Sequence, residues 1–165
     1  MLTTSPRRLA SLAIGAVAAL AVVAALPADA VAGDKADKPA NYTLQLGLLG
    51  YSPVSYFTHN EARPGSPLYR VTYNDVTYFL ESDEQVQAFE SDPERFVPAY
   101  GGWCAFGATK EKHFEINPEA FKIVNGQLHV FKANDQVNAR DKWNAGNEAE
   151  LIGKADAFWA KVHGE

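Results

Sequence analysis

The chain has 165 residues, of which 47% are apolar and 21% are charged, with 12 Gly, 9 Pro and one Cys. These fractions are typical of a folded protein and exclude a disordered, collagen-like or disulfide-stapled chain. The first thirty residues hold two of the 15 basic and one of the 20 acidic side chains, so the remainder is net negative, with 13 basic against 19 acidic. Neutralising phosphates needs clustered Lys and Arg, so the composition disfavours nucleic acid as a partner.

Residues 1–30 have the pattern of a secretory signal peptide. Two arginines at positions 7 and 8 precede a mostly apolar run, and the segment ends in Ala28-Asp29-Ala30, which satisfies the rule for cleavage. Cleavage is expected after Ala30 or Ala32, by the general or the twin-arginine route, leaving an exported protein, periplasmic or secreted, of bacterial type. The alternative is a retained membrane anchor, because the apolar run is long for a signal peptide. Its alanine-rich composition makes it weakly hydrophobic, which favours cleavage and no membrane span in the mature chain.

Two segments follow the signal peptide. Residues 31–43 begin with small and charged residues and are predicted to form a flexible leader. Residues 44–163 are predicted to form a single domain, because a chain of this length buries roughly two-thirds of its unfolded surface. No internal repeat is visible in the sequence after residue 40.

The first predicted element of the domain is a β-hairpin over 68–81. It turns at Asn74-Asp75, two residues that tolerate positive φ. This turn places three apolar pairs on one face: Tyr73 with Val76, Val71 with Tyr78, and Tyr69 with Leu80.

Two short helices are predicted between the hairpins. Ser82 followed by Gln85 is a capping-box pattern, with Val86 and Phe89 on one face of the helix that it opens. Asp92-Pro93-Glu94 places an N-cap before a helix-starting proline.

A second hairpin is predicted at Asn125-Gly126, the strongest two-residue turn signal in the chain. It pairs Ile123 with Leu128 and Phe121 with Val130 on one face. The opposite face has Lys122 beside His129 and Val124 beside Gln127, and we expect it to be the wetter one.

Two more helices complete the prediction. One covers 134–144 with Trp143 packed inward, and the last opens at Asn147 with Glu150 three residues on. The last helix has an apolar stripe that we interpret as core packing: Leu151, Ala155, Phe158, Trp159 and Val162. The fold class is therefore predicted as α+β, a small single domain with two β-hairpins and several short-to-medium helices.

The segment Tyr100–Gly107 holds the lone Cys104 between glycines, with Trp103 and Phe106 beside it. A single cysteine in an exported protein has no internal disulfide partner. Three interpretations remain open for Cys104: a buried small apolar residue, a reactive thiol, or a metal ligand. Each of the four histidines is expected at the surface, and His113 is the best candidate to join Cys104 as a ligand because it is nearest in sequence.

Three segments resemble the exported branch of the YHS-domain family. Gly50–Phe57 is similar to its G-Y-D-P-V-A-Y-F opening, Tyr78–Ser82 to its Y-Y-F-x-S hairpin end, and Pro98–Gly107 to its P-x-Y-G-G-Y-C-A-Y-G signature. The resemblance covers about residues 44–163.

The resemblance implies metal binding, the usual presumed role of the wider family. The supposed ligands there are cysteines near the first hairpin, whereas this chain has Glu81 at the matching position and Ser52-Pro53-Val54 at the opening. The exported branch instead has a cysteine in the segment matched by Cys104. Some relatives carry selenocysteine, which suits a redox thiol.

The sequence thus leads to three hypotheses. The first is a non-catalytic exported module that binds a small ligand or a soft metal such as copper or zinc at Cys104, with Tyr100, Trp103 and Phe106 as walls and His113 as a second metal ligand. The second is a redox protein that uses the Cys104 thiol as its nucleophile. The third is a structural domain, or one that binds a protein partner, in which Cys104 is packed in the core.

Overall fold

The computed structural model describes residues 46–163, with His163 described by its backbone alone. The predicted signal peptide, the leader at 31–43 and the predicted domain start at residue 44 lie outside the described residues. Within the described range, no helix has the length and apolar composition needed to cross a bilayer.

The described chain is a small α+β domain with six α-helices and three two-stranded antiparallel sheets, which confirms the predicted fold class. Its helices are α1 (Pro53–Thr58), α2 (Asp83–Ser91), α3 (Pro93–Phe96), α4 (Ala105–Ala108), α5 (Ala139–Asn144) and α6 (Glu148–His163). Its strands are β1 (Ser66–Tyr73), β2 (Val76–Leu80), β3 (Asn117–Val124), β4 (Gln127–Phe131), β5 (Ala133–Asn134) and β6 (Val137–Asn138). Two 3₁₀ turns, Gly47–Gly50 and Ala99–Gly102, precede α1 and α4.

The first hairpin has the predicted turn and two of its three predicted pairs. Tyr73 pairs with Val76 and Val71 with Tyr78, but Leu80 pairs with Ser66, so the predicted pairing with Tyr69 is wrong. A bulge between Ser66 and Arg70 shifts the register. Pro67 lies inside this bulge, and proline has no N–H to donate to the strand ladder.

The second hairpin has all the predicted pairs, namely Phe121 with Val130, Lys122 with His129, Ile123 with Leu128 and Val124 with Gln127. The expectation of a wet face with a surface histidine is wrong, because the His129 side chain is only 2% exposed. The rings of Tyr100 and Trp143 lie against it, at centroid distances of 5.7 and 5.6 Å.

Two of the predicted caps form their side-chain hydrogen bonds, whereas Asp92 precedes α3 as predicted but makes no side-chain capping bond. The Ser82 hydroxyl accepts from the Gln85 N–H, and the Asn147 side chain accepts from the Glu150 N–H. The helix predicted over 134–144 begins only at Ala139, since the Asn138 side chain accepts hydrogen bonds from the N–H groups of the next turn and caps it there. Residues before it form the β5–β6 pair instead. Trp143 is fully buried as predicted, whereas Val162 is 45% exposed and does not belong to the core stripe.

The order of elements is repeated along the chain. Residues 46–97, here called the first half, run through a 3₁₀ turn, α1, the β1–β2 hairpin, α2 and α3; residues 98–163, the second half, run through a 3₁₀ turn, α4, the β3–β4 hairpin, the small β5–β6 pair, α5 and α6. Each hairpin has a bulge just after its first residue, and each bulge contains a proline, Pro67 or Pro118. Leu46 bridges β2 in parallel at Thr77 in the same way that Pro98 bridges β4 at Leu128.

Each half contributes a cluster of buried side chains. The smaller cluster is built from the first half, around Leu80, Phe89 and Phe96. The larger one is built mainly from the second half, around Leu128, Phe131 and Trp143, and it also contains Leu48 and Tyr56 from the first half. The Tyr56 hydroxyl donates to the carbonyl of Pro118 at 3.1 Å, so the halves are joined by apolar packing and by a buried hydrogen bond.

Candidate functional site

Cys104 lies in the interior at the start of α4. Its side chain is 1% exposed, within the larger core cluster, and the thiol is free. The Cys104 N–H donates to the carbonyl of Phe114 at 3.1 Å, and the Cys104 carbonyl accepts from the N–H of Ala108 at 3.0 Å. Since free cysteine packs as a small apolar residue, solvent reaches this sulfur only when the packing around α4 opens.

Gly107, three residues after Cys104, lets the segment at Lys112 and Phe114 pack closely against α4. A Cβ atom at Gly107 would lie 2.8 Å from the carbonyl oxygen of Lys112 and 2.8 Å from Cδ2 of Phe114. Any larger residue would push this segment away from α4. The glycine at this position is therefore explained by packing.

Three other predicted site residues are Trp103, Phe106 and His113, and their rings make contacts with one another and with neighbouring side chains. The ring centroids of Trp103 and His113 are 5.1 Å apart, and the His113 ring also packs against Phe158 at 5.3 Å. The Lys110 ammonium lies 5.2 Å from the Phe106 ring centroid. His113 is exposed, as expected for the histidines. Among residues 46–163, no three His, Cys, Asp or Glu side chains are grouped so that they could hold a metal ion; the copper or zinc site at Cys104 and His113 stays a prediction.

Glu81, at the position where the family has a supposed cysteine ligand, already has partners on both carboxylate oxygens. The Nε atom of Arg63 lies 2.9 Å from Oε1 of Glu81. The side-chain amide of Gln85 donates from Nε2 to Oε2 of Glu81 at 2.7 Å. His59 Nε2 is 3.8 Å from the same Oε2. These contacts connect the segments that follow α1 and β2 to helix α2.

Tyr100 lies in the turn before α4 with an unusual backbone. Three consecutive residues, Tyr100, Gly101 and Gly102, have positive φ values of 53, 58 and 80°. For a non-glycine residue this conformation costs about 1–2 kcal/mol. It places the Tyr100 hydroxyl where it donates to Oδ1 of Asp156 on α6 at 2.9 Å, and the Tyr100 ring where it meets Trp159 edge-on at 6.1 Å.

Tyr100 also lines a cleft of about 350 Å³ between the two halves. The first hairpin contributes Tyr73, Val76 and Tyr78, with Asn74 from its turn. Val97, the last residue of the first half, also lines it. The second half contributes residues 98–101, Gln127 at the start of β4, and Asp156, Trp159 and Ala160 of α6. Of the predicted site residues, Tyr100 alone lines this cleft; Trp103, Cys104, Phe106 and His113 do not.

His129 lies directly behind Tyr100. Its Nδ1 is 3.1 Å from the carbonyl oxygen of Gln127, which can only accept, so Nδ1 carries the proton and Nε2 does not. Nε2 is buried and has no partner among the described residues. Burial lowers the pKa of the imidazole, although the hydrogen bond to Gln127 and the carboxylates of Asp156 and Glu148 oppose this. His129 is therefore neutral at neutral pH.

Asp156 is a cleft residue that the sequence analysis missed. One signal was present, since Asp156 stands among apolar residues at helical spacing, with Ile152 one turn before it and Trp159 and Ala160 one turn after. An acidic side chain in such a setting interrupts an otherwise apolar face. Tyr73 lies on β1, and Gln127 and His129 lie on β4, so no local pattern relates them to Tyr100.

No protein-family model matches the chain, and no curated protein or solved structure matches it either.

Proposed function

We propose that this chain is an exported, non-catalytic binding module of the YHS-domain type, and that it binds a small ligand in the cleft around Tyr100. The observation that carries the proposal is the cleft itself, where aromatic rings and one carboxylate converge from both halves. Its volume of about 350 Å³ lies within the range of roughly 300–1,000 Å³ for small-molecule pockets. Export and family membership rest on the sequence patterns at 1–30 and 44–163.

The walls of the cleft are held in place before any ligand arrives. The Tyr100 ring is fixed by its left-handed backbone, by its hydrogen bond to Asp156 and by its contact with Trp159. Backbone strain of this kind persists where the surrounding structure enforces it. Because ordered walls lower the entropic cost of binding, they favour the cleft as a ligand site.

The cysteine-centred alternatives make a different demand on the molecule. A soft metal or an oxidant must reach a thiol that is 1% exposed inside the larger core cluster, so part of the core must open first. The cleft requires no such opening. The geometry therefore supports ligand binding at Tyr100 better than metal or redox chemistry at Cys104.

The test of the proposal is an NMR screen of the nitrogen-15-labelled full chain against small neutral, cationic and anionic molecules at millimolar concentration. Binding in the cleft should shift the backbone amides of Gly101 and Gln127 and the indole N–H of Trp159. The variant Ala160→Leu fills the cleft and should abolish these shifts. The matched control is Ala157→Leu, the same change at an exposed position of α6, which should leave them intact. Shifts that persist in Ala160→Leu, or a screen without any hit, would overturn the proposal.

Alkylation of Cys104 tests the competing hypotheses. We expect the folded protein to be labelled at least about a thousandfold more slowly than the unfolded chain, because labelling must wait for opening of a core that is stable by several kcal/mol. Rates are compared by mass spectrometry in buffer and in urea. Fast labelling of the folded protein would favour a cysteine-centred function instead.

A further inference from the structure

The cleft has an uneven distribution of charge. Asp156 is the only carboxylate among the described lining residues, and none of them is Lys, Arg or His. Four of the lining residues are aromatic: Tyr73, Tyr78, Tyr100 and Trp159. Burial raises the pKa of Tyr78, and burial together with Asp156 raises that of Tyr100, so both hydroxyls stay neutral. The cleft thus presents one negative charge within aromatic walls.

Asp156 has no ion-pair partner within residues 46–163, and three lysines on its own helix and on β3 pair with other carboxylates. On its own helix, Lys154 pairs with Glu150 at 2.6 Å and Lys161 with Glu111 at 3.5 Å. On β3, Lys122 pairs with Glu148. Within residues 46–163, no lysine or arginine forms an ion pair with Asp156. The Tyr100 hydroxyl uses one lone pair of Oδ1, and a carboxylate has roughly four such sites.

We propose that the cleft binds a small organic ammonium ion, with Asp156 as its counter-ion and with Tyr100 and Trp159 as aromatic walls; this rests on the proposed function and names the ligand class. Aromatic faces attract cations through their quadrupole, by about 0.5–2 kcal/mol each, and quaternary ammonium groups are recognised in this way. An anion would meet the Asp156 charge with no compensating base in the cleft. Asp156 is exposed, so water solvates its carboxylate beside a neutral ligand, and only a cation gains attraction from the charge.

The experiment compares three molecules of nearly the same shape. Choline is titrated into the full chain beside 3,3-dimethylbutan-1-ol, in which carbon replaces the charged nitrogen, and beside 3,3-dimethylbutanoate, which is an anion. The Trp159 indole N–H and the Gly101 amide report binding by NMR. We expect choline to bind at least about tenfold more tightly than the alcohol and the butanoate to bind weakest.

Two variants locate the source of this preference. Asp156→Asn still offers an oxygen to the Tyr100 hydroxyl but removes the charge, so it should reduce the preference for choline to less than about twofold. The control Asp135→Asn makes the same change of net charge at an exposed turn residue outside the cleft and should preserve the preference.

The outcomes separate the two proposals. If the alcohol or the butanoate binds as well as choline and Ala160→Leu abolishes its shifts, the ammonium proposal fails while the cleft remains a ligand site. If none of the three binds, the ammonium proposal also fails, and the function proposal falls only if the wider screen gives no hit. A preference for choline that survives Asp156→Asn contradicts the role of Asp156.

Discussion

The two halves of the molecule have similar backbone conformations but different side chains at equivalent positions. In the first half, Leu48 and Leu49 have φ values of 52 and 54°, and in the second half Tyr100 and Gly101 have values of 53 and 58°. The N–H of Tyr51 donates to the carbonyl of Leu48 at 3.1 Å, just as the N–H of Trp103 donates to that of Tyr100 at 3.0 Å. The same left-handed turn therefore leads into the same short helix twice.

Equivalent positions in the two halves have different chemistry. Leu48 has an apolar side chain and is 3% exposed. At the equivalent position Tyr100 donates a hydrogen bond from its hydroxyl to Asp156. The third pair from the turn brings Val71 opposite Tyr78 in the first hairpin and Lys122 opposite His129 in the second. The second half thus supplies the carboxylate of the cleft and its partner Tyr100, whereas the first half supplies Tyr73, Asn74 and Tyr78. Under the proposed function, the charged group of the ligand site lies in one copy of a repeated frame.

A third equivalent pair bears on Cys104. Ser52 and Cys104 both follow the turn and begin a short helix, with backbone angles of −70 and 120° for Ser52 and −58 and 116° for Cys104. The buried Ser52 hydroxyl donates to Oε1 of Gln85 at 2.6 Å, while Cys104 packs in the apolar core cluster. A small buried side chain is required at both places, which is a structural reason for the cysteine.

The largest expected effect tests whether the halves unfold as one unit. Leu80→Ala in the first half and Leu128→Ala in the second each truncate a side chain that is fully buried. Each should lower the free energy of unfolding by about 2–5 kcal/mol through lost burial and a residual cavity. Urea unfolding is followed by far-UV circular dichroism, which reports on both halves, and by tryptophan fluorescence. All three tryptophans lie in the second half.

Because the halves share the larger core, Leu80→Ala should shift both signals together. The exposed Leu68, which is 84% exposed in the β1 bulge, gives a control in Leu68→Ala that should change stability by less than about 0.5 kcal/mol. A fluorescence transition that stays in place in Leu80→Ala while the dichroism signal moves would show that the halves unfold separately.

The second expected effect is a pH dependence of stability that arises from His129 in the second half. The pKa of His129 in the folded state is lowered from 6.5, chiefly by burial, so the unfolded chain binds the proton more readily. Stability should therefore be fully present above about pH 6.5 and should fall as the pH drops below that value, by at most about 1.4 kcal/mol per pH unit. The free energy of unfolding in urea is measured between pH 7.5 and pH 5.

The variant His129→Leu keeps a side chain of similar size and removes the titrating group, so it should flatten this dependence. His59→Leu, at an exposed position, serves as the control and should preserve it. An equal pH dependence in His129→Leu and in the unsubstituted protein would assign the effect to other groups.

The smallest effect compares the two hairpin turns. Asp75 and Gly126 occupy equivalent positions with φ values of 60 and 79°. Gly126→Ala should cost about 1 kcal/mol, because a Cβ there would meet nothing within 4 Å and only the backbone conformation opposes it. Asp75→Gly should stabilise the first hairpin by a few tenths of a kcal/mol, since glycine adopts positive φ more easily than aspartate. Thermal melts of both variants measure the difference, and a destabilised Asp75→Gly would show that the Asp75 side chain contributes more than its backbone strain costs.

Local patterns predicted the elements that depend on near neighbours in sequence. The turns at Asn74-Asp75 and Asn125-Gly126 were predicted because few residues tolerate positive φ. The helix cap at Ser82 was predicted because its hydroxyl serves an N–H three residues away. The prediction of a helix from residue 134 was wrong because the Asn134 side chain accepts hydrogen bonds from the N–H groups of Gln136 and Val137, which stabilises a turn there instead.

The sequence by itself determined the α+β class, the turn positions, the inner pairs of both hairpins and the burial of Trp143, because each depends on residue preferences within a few positions. Tertiary structure alone decided that His129 is buried, that Cys104 is enclosed and that Tyr100 meets Asp156 fifty-six positions away. It also decided the repeat of the two halves, since the same left-handed turn is built from leucines in one and from Tyr100 and glycine in the other. Such features depend on which distant surfaces pack together, and apolar packing tolerates many residue combinations, so no local pattern specifies them.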